Sequence, residues 1–478
     1  MTFHGTREGK ENWGSGSGFN IRSARSRIRD PEAPATPKLD LALGHLFPDR
    51  IGGMNETILR TVFSLALAAG FSGLAAGAAE VSSATNPPTP PPRVTKPELP
   101  QVCLEAKDPI VSDRRGPCSV EIVLPKGGLT GLSNQTPAIV RLHGASSQGF
   151  PKKSFSFSLD TPASLLAMNP NRHWLLNAAY IDRSLMRHKL AYDLFRSLSR
   201  PGHPRFAAES RFVELKLNGS YQGVYLLMEH VDRQRLRFRS YHSNDFSHAC
   251  IYKARDHGAN FAQPGHVGYE QREPDPAIHP AYWKPVDDLD SFVSTAPDSD
   301  FFHPQTGLES RLDVDNAMDF HLLVLLTSNA DGVDKNFYLA CDGQETEPQR
   351  QRFLFVPWDY DGTFGRNWDA SPFPVEVWLS IHLFDRLLGN AAYRERFLVR
   401  WKQLRAREFS LETIQRMTDE NARTLGAAVR RNEARWPTTG WPYPDRVTFE
   451  EDLAQMRRWT EARLKWLDQY LQGEFGKR

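Results

Sequence analysis

The sequence predicts an α+β protein in which strands come first and helices dominate later. Three features predict this. Between residues 119 and 231 several short runs alternate apolar and polar residues with the period of two that strands show. The dipeptide Asn218-Gly219 divides two such runs and accepts the positive φ angles of a tight type I′ hairpin turn. From Val314 onward, leucines and aromatics recur mostly at helical spacing. Strands followed by helices is the order of an α+β fold, with a strand-rich part and a helical part.

SVEIVLP (119–125), AIVRLHG (138–144) and KKSFSFSL (152–159) read as strands. In the third, Lys153 shares a face with Phe155, Phe157 and Leu159, so it either ends the strand in water or aims into a cleft. A helix is expected over 181–199 from the spacing of Leu185, Leu190, Leu194 and Leu198, with Asp182 as its N-cap. The hairpin over 211–231 follows, then a short strand at 249–254 that carries Lys253. Residues 255–300 are polar and rich in Pro and Asp, and read as a loop or insertion. A helical pattern over 314–330 leads into strands at NFYLA and RFLFVPW, and helices are expected at 383–405, 411–435 and 450–472.

The N-terminal hundred residues divide into unlike pieces. Residues 1–53 are rich in Gly, Ser, Arg and Pro with little periodicity, and the expectation is a non-native or disordered extension with Met54 as the natural start. Residues 54–78 have the layout of a signal peptide: Arg60, an apolar stretch from Thr61, and small residues at Ala76-Gly77-Ala78 before Ala79. A membrane anchor is the competing reading, and the many Gly and Ala make the stretch weakly apolar for it. Residues 79–102 are dense in Pro and read as an extended linker, with the folded domain expected over 103–478. The four cysteines all lie beyond the signal. An even count in an exported protein permits disulfides, with Cys103 and Cys118 as the local candidate pair.

Composition excludes some classes. Formal charge is +2 over 478 residues, so no nucleic-acid footprint appears and no nucleic-acid partner is expected. Aromatics make up 11%, which fits a sizeable core or a ligand groove. After signal cleavage no stable membrane span is expected.

Two acidic stretches carry candidate chemistry. In SNADGVDKNFYL, Asp331 follows a long apolar helix and Asn336 opens a strand five positions on. In FLFVPWDYDGTFG, Asp359 and Asp361 end the next strand, with Trp358 and Tyr360 alternating with them and expected on the opposite face. A base, an amide and a carboxylate pair at adjacent strand ends could converge on one spot, and hard oxygen ligands suit Mg²⁺ or Mn²⁺. The spacing Asp-x-x-x-x-Asn is also that of a protein-kinase catalytic loop. Each motif alone is more often an ordinary turn or cap, and the case rests on their occurring together in this order. Upstream, RLHGASSQGFPKKSF (141–155) joins a donor-rich glycine loop to lysines, a recipe for holding phosphates, or else a surface hairpin. Arg187 on the 181–199 helix either reaches a phosphate or faces water.

Six stretches in one order, R-L-H-G-A-S-S with P-K-K-S-F, L-N-A-A-Y-I-D-R-S-L-M-R, the hairpin, I-Y-K, N-A-D-G-V-D-K-N-F-Y-L and P-W-D-Y-D-G-T-F-G, resemble the CotH kinase family, secreted and spore-coat relatives of protein kinases. They run from about residue 119 to 370, and the helical tail is similar too. The resemblance implies an atypical protein-kinase-like fold, with a strand-rich N-terminal lobe and a helix-rich C-terminal lobe. It implies binding of ATP with Mg²⁺ and transfer of the γ-phosphate to Ser or Thr of an exported protein. By matching position Asp331 resembles the catalytic Asp. Asn336 and Asp359 resemble metal ligands, with Asp361 a second metal or support residue. Arg141, Ser147, Lys152, Lys153, Arg187 and Lys253 are the expected phosphate-binding set, and LLMEHV is the segment joining the lobes. His143 departs from the pattern, since the family more often has Arg or Lys before Gly144. An inactive surface or structural protein is the alternative from another class. A metal-dependent phosphohydrolase is a third reading, against which stands the lack of a histidine ligand pattern.

Overall fold

The computed structural model describes residues 99–125, 132, 135–240, 249–343, 351–439 and 446–476. All of them belong to the Pro92–Arg478 unit of the chain. The expected extension (1–53) and signal peptide (54–78) lie outside the described residues, as does nearly all of the linker.

Seven strands close into a barrel: β1 (Gln101–Glu105), β2 (Gly116–Val123), β3 (Thr136–His143), β4 (Ser154–Ala163), β5 (Asn171–Asn177), β6 (Ser210–Leu217) and β7 (Ser220–Glu229), in the order β1-β2-β3-β4-β5-β7-β6. β1 shuts it by pairing antiparallel with β2 and parallel with β6. Alternation fills the inside. Val102, Leu104, Val120, Ile122, Val140, Phe155, Phe157, Trp174, Val213, Leu215 and Tyr225 form one buried core. The hairpin turn has Asn218 at φ +47° and Gly219 at φ +73°, both positive as a type I′ turn requires.

The α+β reading holds, but closure was not visible in the pattern. The closing strand begins at Gln101, with Leu99 already buried, so it overlaps the residues read as linker. β5 also went unread, its alternation obscured by Arg172-His173.

A second sheet has the order β11-β10-β8-β9, with β8 (Cys250–Ala254), β9 (Tyr269–Glu273), β10 (Phe337–Cys341) and β11 (Leu354–Pro357). It packs on the Val314–Thr327 helix, where Phe320 stacks on Phe355 at 4.7 Å. The stretch expected as a loop over 255–300 holds β9 and the Lys284–Thr295 helix. That helix buries Val286, Leu289 and Val293 at helical spacing, and its Pro285 sits in the first turn, where a missing N–H costs nothing.

The C-terminal part is helical as expected, with two breaks. Asn390 leaves helical dihedrals and accepts from Tyr393 N at 3.1 Å, separating His382–Gly389 from Ala391–Arg405. Gly426, at φ +48°, separates Leu411–Leu425 from Ala428–Arg435. The last helix, Phe449–Phe475, opens with a capping box between Thr448 and Glu451. No helix among the described residues is long and apolar enough to cross a membrane.

The expected Cys103–Cys118 pair does not form. Cys103 lies opposite Glu121 across β1 and β2, while Cys118 lies opposite Ala138 across β2 and β3.

Candidate functional site

The turn after β11 is built before its carboxylates do anything. Asp359 stands at φ +58° and Asn336 at φ +59°, left-handed positions that Asp and Asn tolerate better than most residues. The backbone is pinned on three sides. Asp359 N–H donates to the Tyr192 hydroxyl at 2.9 Å, Trp358 N–H donates to the Asn336 carbonyl at 3.0 Å, and the Asn329 amide donates to the Asp359 carbonyl at 3.1 Å. The Asn329 side chain also accepts from Gly332 N–H at 2.9 Å. One side chain therefore ties the Asp331 loop to the Asp359 turn. Trp358 and Tyr360 are buried, although the strand ends at Pro357 and the acids lie in the turn beyond it.

The Asp359 carboxylate has two faces. One meets His188 Nε2 at 3.3 Å, on the Arg187–Ser197 helix, whose ring is buried. The other is open, and 44% of the side chain is exposed. Burial disfavours the charged form of His188, but the hydrogen bond to Asp359 and the charges of Asp361 and Asp359 outweigh it and hold the imidazole above its ordinary value. Burial works against Asp359 too, yet the hydrogen bond and charge of His188, and then Lys253, keep it below the usual carboxylate range. Asp361 goes the other way. Burial, then the Asp359 charge, push it up to about 7. Two neighbouring carboxylates that cannot both ionise freely are the electrostatic mark of a place that would accept a cation.

Cationic and imidazole groups surround this turn. Lys253, on β8, is lowered by burial and by Arg272 on β9, with Asp359 opposing. His143, at the end of β3, is pushed down to about 4 by burial and Lys253, so it is neutral at pH 7. His230 is pushed to about 3 by burial, Arg272 and His143, and its ring lies 6.1 Å from Trp358. The outer face of the barrel supplies His143, and also Arg141, which reaches Ser156 at 3.4 Å.

Asp331 lies on the loop after the Val314–Thr327 helix. Its carboxylate pairs with Lys335 at 2.9 Å and is 26% exposed. Its loop turns at Gly332, where a Cβ would come within 2.4 Å of the Asn329 amide carbon. Lys153 donates to the Gln148 carbonyl at 2.5 Å, which folds the 146–149 turn back on itself, and Ser147 Oγ occupies the space a Cβ on Gly144 would need.

Two of the expected phosphate ligands are elsewhere. Lys152 is buried, donating to the Val224 carbonyl at 2.5 Å and to Asn432 Oδ1 at 3.0 Å, with its amine over the Tyr225 ring. Arg187 is also fully buried. It pairs with Asp182 and Asp452, each at 2.5 Å, and donates to the Thr363 carbonyl at 2.8 Å. Both are struts of the fold. Asp182 is not the N-cap by position, but its carboxylate accepts from Arg187 N–H at 2.8 Å and satisfies the start of that helix.

Sequence reasoning missed His188 and Arg272. Neither lies in a motif, and each reaches Asp359 or Lys253 only through the fold. Among the described residues no group of three or more His, Cys, Asp and Glu converges as a metal cage. Mg²⁺ does not need one, since it commonly takes one or two carboxylates and completes its shell with phosphate oxygens and water. Asp359 and Asp361 fit that pattern, and Asn336 adjoins their turn through its backbone carbonyl.

Residues 140–467 match the family described as CotH kinase protein, and the chain belongs to that family. It is also similar to the inner spore coat protein H of Bacillus subtilis (strain 168), at 28% identity over 288 residues, covering 58% of this chain and 73% of that one.

Proposed function

We propose that the protein is an exported kinase that transfers the ATP γ-phosphate to Ser or Thr of a secreted or cell-surface protein. The observation that carries this is the Asp359 turn: a carboxylate held from behind by His188, open in front, beside Asp361 and near Lys253, which Arg272 neighbours in turn. Mg²⁺ bound there would neutralise charge on the transferring phosphoryl group. Asp359, Asp361 and Asn336 hold that ion. Lys253 and Arg272 supply positive charge for phosphate oxygens, with Arg141 on the adjoining barrel face. Neutral His143 contributes a hydrogen bond and no charge. Asp331 accepts the proton of the acceptor hydroxyl, and its ion pair with Lys335 holds the carboxylate in place. Family membership supports this reading.

The spore-coat relative favours a second reading, a structural protein of a cell or spore surface. One experiment separates them. The 79–478 fragment is incubated with γ-labelled ATP, Mg²⁺ or Mn²⁺ and a generic basic acceptor protein, beside Asp331→Ala and Asp359→Ala. The kinase reading expects label in the acceptor that both variants lose. No label, together with no metal-dependent nucleotide binding, leaves the structural reading standing.

A further inference from the structure

Cys250 opens β8 and Cys341 closes β10, and the two are direct partners in the antiparallel register. Directly opposed residues of an antiparallel pair have Cα atoms about 4.5 or 5.5 Å apart, according to their place in the ladder. Both values fall within the span a disulfide bridges. The side chains face each other, since the two thiols are within hydrogen-bonding reach. Both residues are buried, at 1% and 5% exposure. Cys103 and Cys118 have no such partnership, as the register shows.

We propose that Cys250 and Cys341 form a cross-strand disulfide when the chain folds in an oxidising compartment. This rests on the export reading above. The two thiols lose two protons and two electrons, a sulfur–sulfur bond forms between them, and a disulfide-bearing oxidant takes up the electrons and protons to become two thiols. Burial places the bond's formation during folding, before the sheet closes over the pair. The Cys341 thiol gives up its contact with the Gln351 carbonyl, at 3.0 Å, in the exchange. The bond joins residues far apart in sequence (250 and 341), so it removes much freedom from the unfolded chain. It staples β8, which carries Lys253, to β10, which Asn336 precedes. The staple sits at the end of the sheet away from the Asp359 turn, because Phe337 pairs with Pro357 and Ala254 at the other end.

The test is made on the full chain produced in a host whose cytoplasm is oxidising, so that pairing is read independently of export. Alkylation in denaturant without reductant is expected to label Cys103 and Cys118 only, and peptide mapping is expected to recover a 250–341 linked pair about 2 Da lighter than the two thiol peptides. Reductant or Cys250→Ser is expected to lower Tm by about 5 °C or more, while Cys103→Ser leaves it unchanged. If Cys250→Ser does not fold, alkylation of the unsubstituted chain still decides. Four labelled thiols, or a Cys103–Cys118 link, would overturn the proposal. Protein recovered from its natural source then tests the compartment. A pair linked in the oxidising host but reduced in the natural protein would refute export and leave the pairing intact.

Discussion

Replacing Arg187 distinguishes a strut from a ligand. Its guanidinium is fully buried and spends its donors on Asp182, Asp452, Ser184 Oγ at 3.0 Å and the Thr363 carbonyl. Asp452 is shared with Arg366, at 2.9 Å, so the group is a buried network with two arginines and two acids. In Arg187→Met, Asp182 keeps only its bonds with Ser184 and the backbone, and Asp452 keeps only Arg366 and Ser184 N–H. Breaking a buried pair by removing one partner costs about 3–5 kcal/mol, because a charge is left unpaired. That is a large share of a typical folding free energy of about 5–15 kcal/mol. Arg187→Lys keeps the charge but loses the planar fork, and an intermediate loss is expected. Denaturant unfolding measures the stability, and nucleotide titration of the folded variant at low temperature measures the site. The expected result is a lower midpoint with unchanged nucleotide affinity. Full stability combined with lost nucleotide binding would refute the burial argument and return Arg187 to the phosphates.

Other predictions divide in the same way between frame and site. Lys152→Met is expected to cost about 1–3 kcal/mol in denaturant unfolding, the penalty for orphaning the Val224 carbonyl, with no effect on nucleotide binding. Lys253→Ala and Arg272→Ala are each expected to weaken nucleotide affinity about tenfold or more, read by calorimetry, while leaving the unfolding midpoint within about 1 kcal/mol. Asp290 is buried in the Lys284–Thr295 helix, where burial and then the Asp287 charge push it up to about 8. Its folded value lies above the unfolded one of about 3.9, so its contribution to stability is complete below about pH 4 and is lost as pH rises through 8. Asp290→Asn is therefore expected to flatten the fall in stability between about pH 4 and 8, and a pH series of unfolding midpoints with an unchanged slope would refute it.

Legibility followed the range of the signal. The Asn218-Gly219 hairpin was readable because the constraint is local: two residues must adopt positive φ. The acidic stretches were readable as a pair because each ends an apolar run, and the fold does tie their loops together through Asn329. Lys152 and Arg187 were not readable as struts, because Asn432 and Asp452 lie hundreds of positions downstream. A lone cation in sequence looks the same whether its partner is a phosphate or a distant carboxylate. His188 and Arg272 were missed for the converse reason, since only tertiary packing brings them to Asp359 and Lys253. The barrel's closure depended on β1, five residues hidden behind prolines, and on a parallel pairing with β6 that no local pattern encodes.

The central claim is that the Asp359 turn binds a nucleotide through a divalent cation. The direct measurement is the melting temperature of the 79–478 fragment with ATP, with and without Mg²⁺, for the unsubstituted protein and Asp359→Asn. The expected result is a rise in Tm for the unsubstituted protein that needs both ATP and Mg²⁺ and disappears in Asp359→Asn. An equal rise in both proteins, or one that persists without the metal, would contradict it.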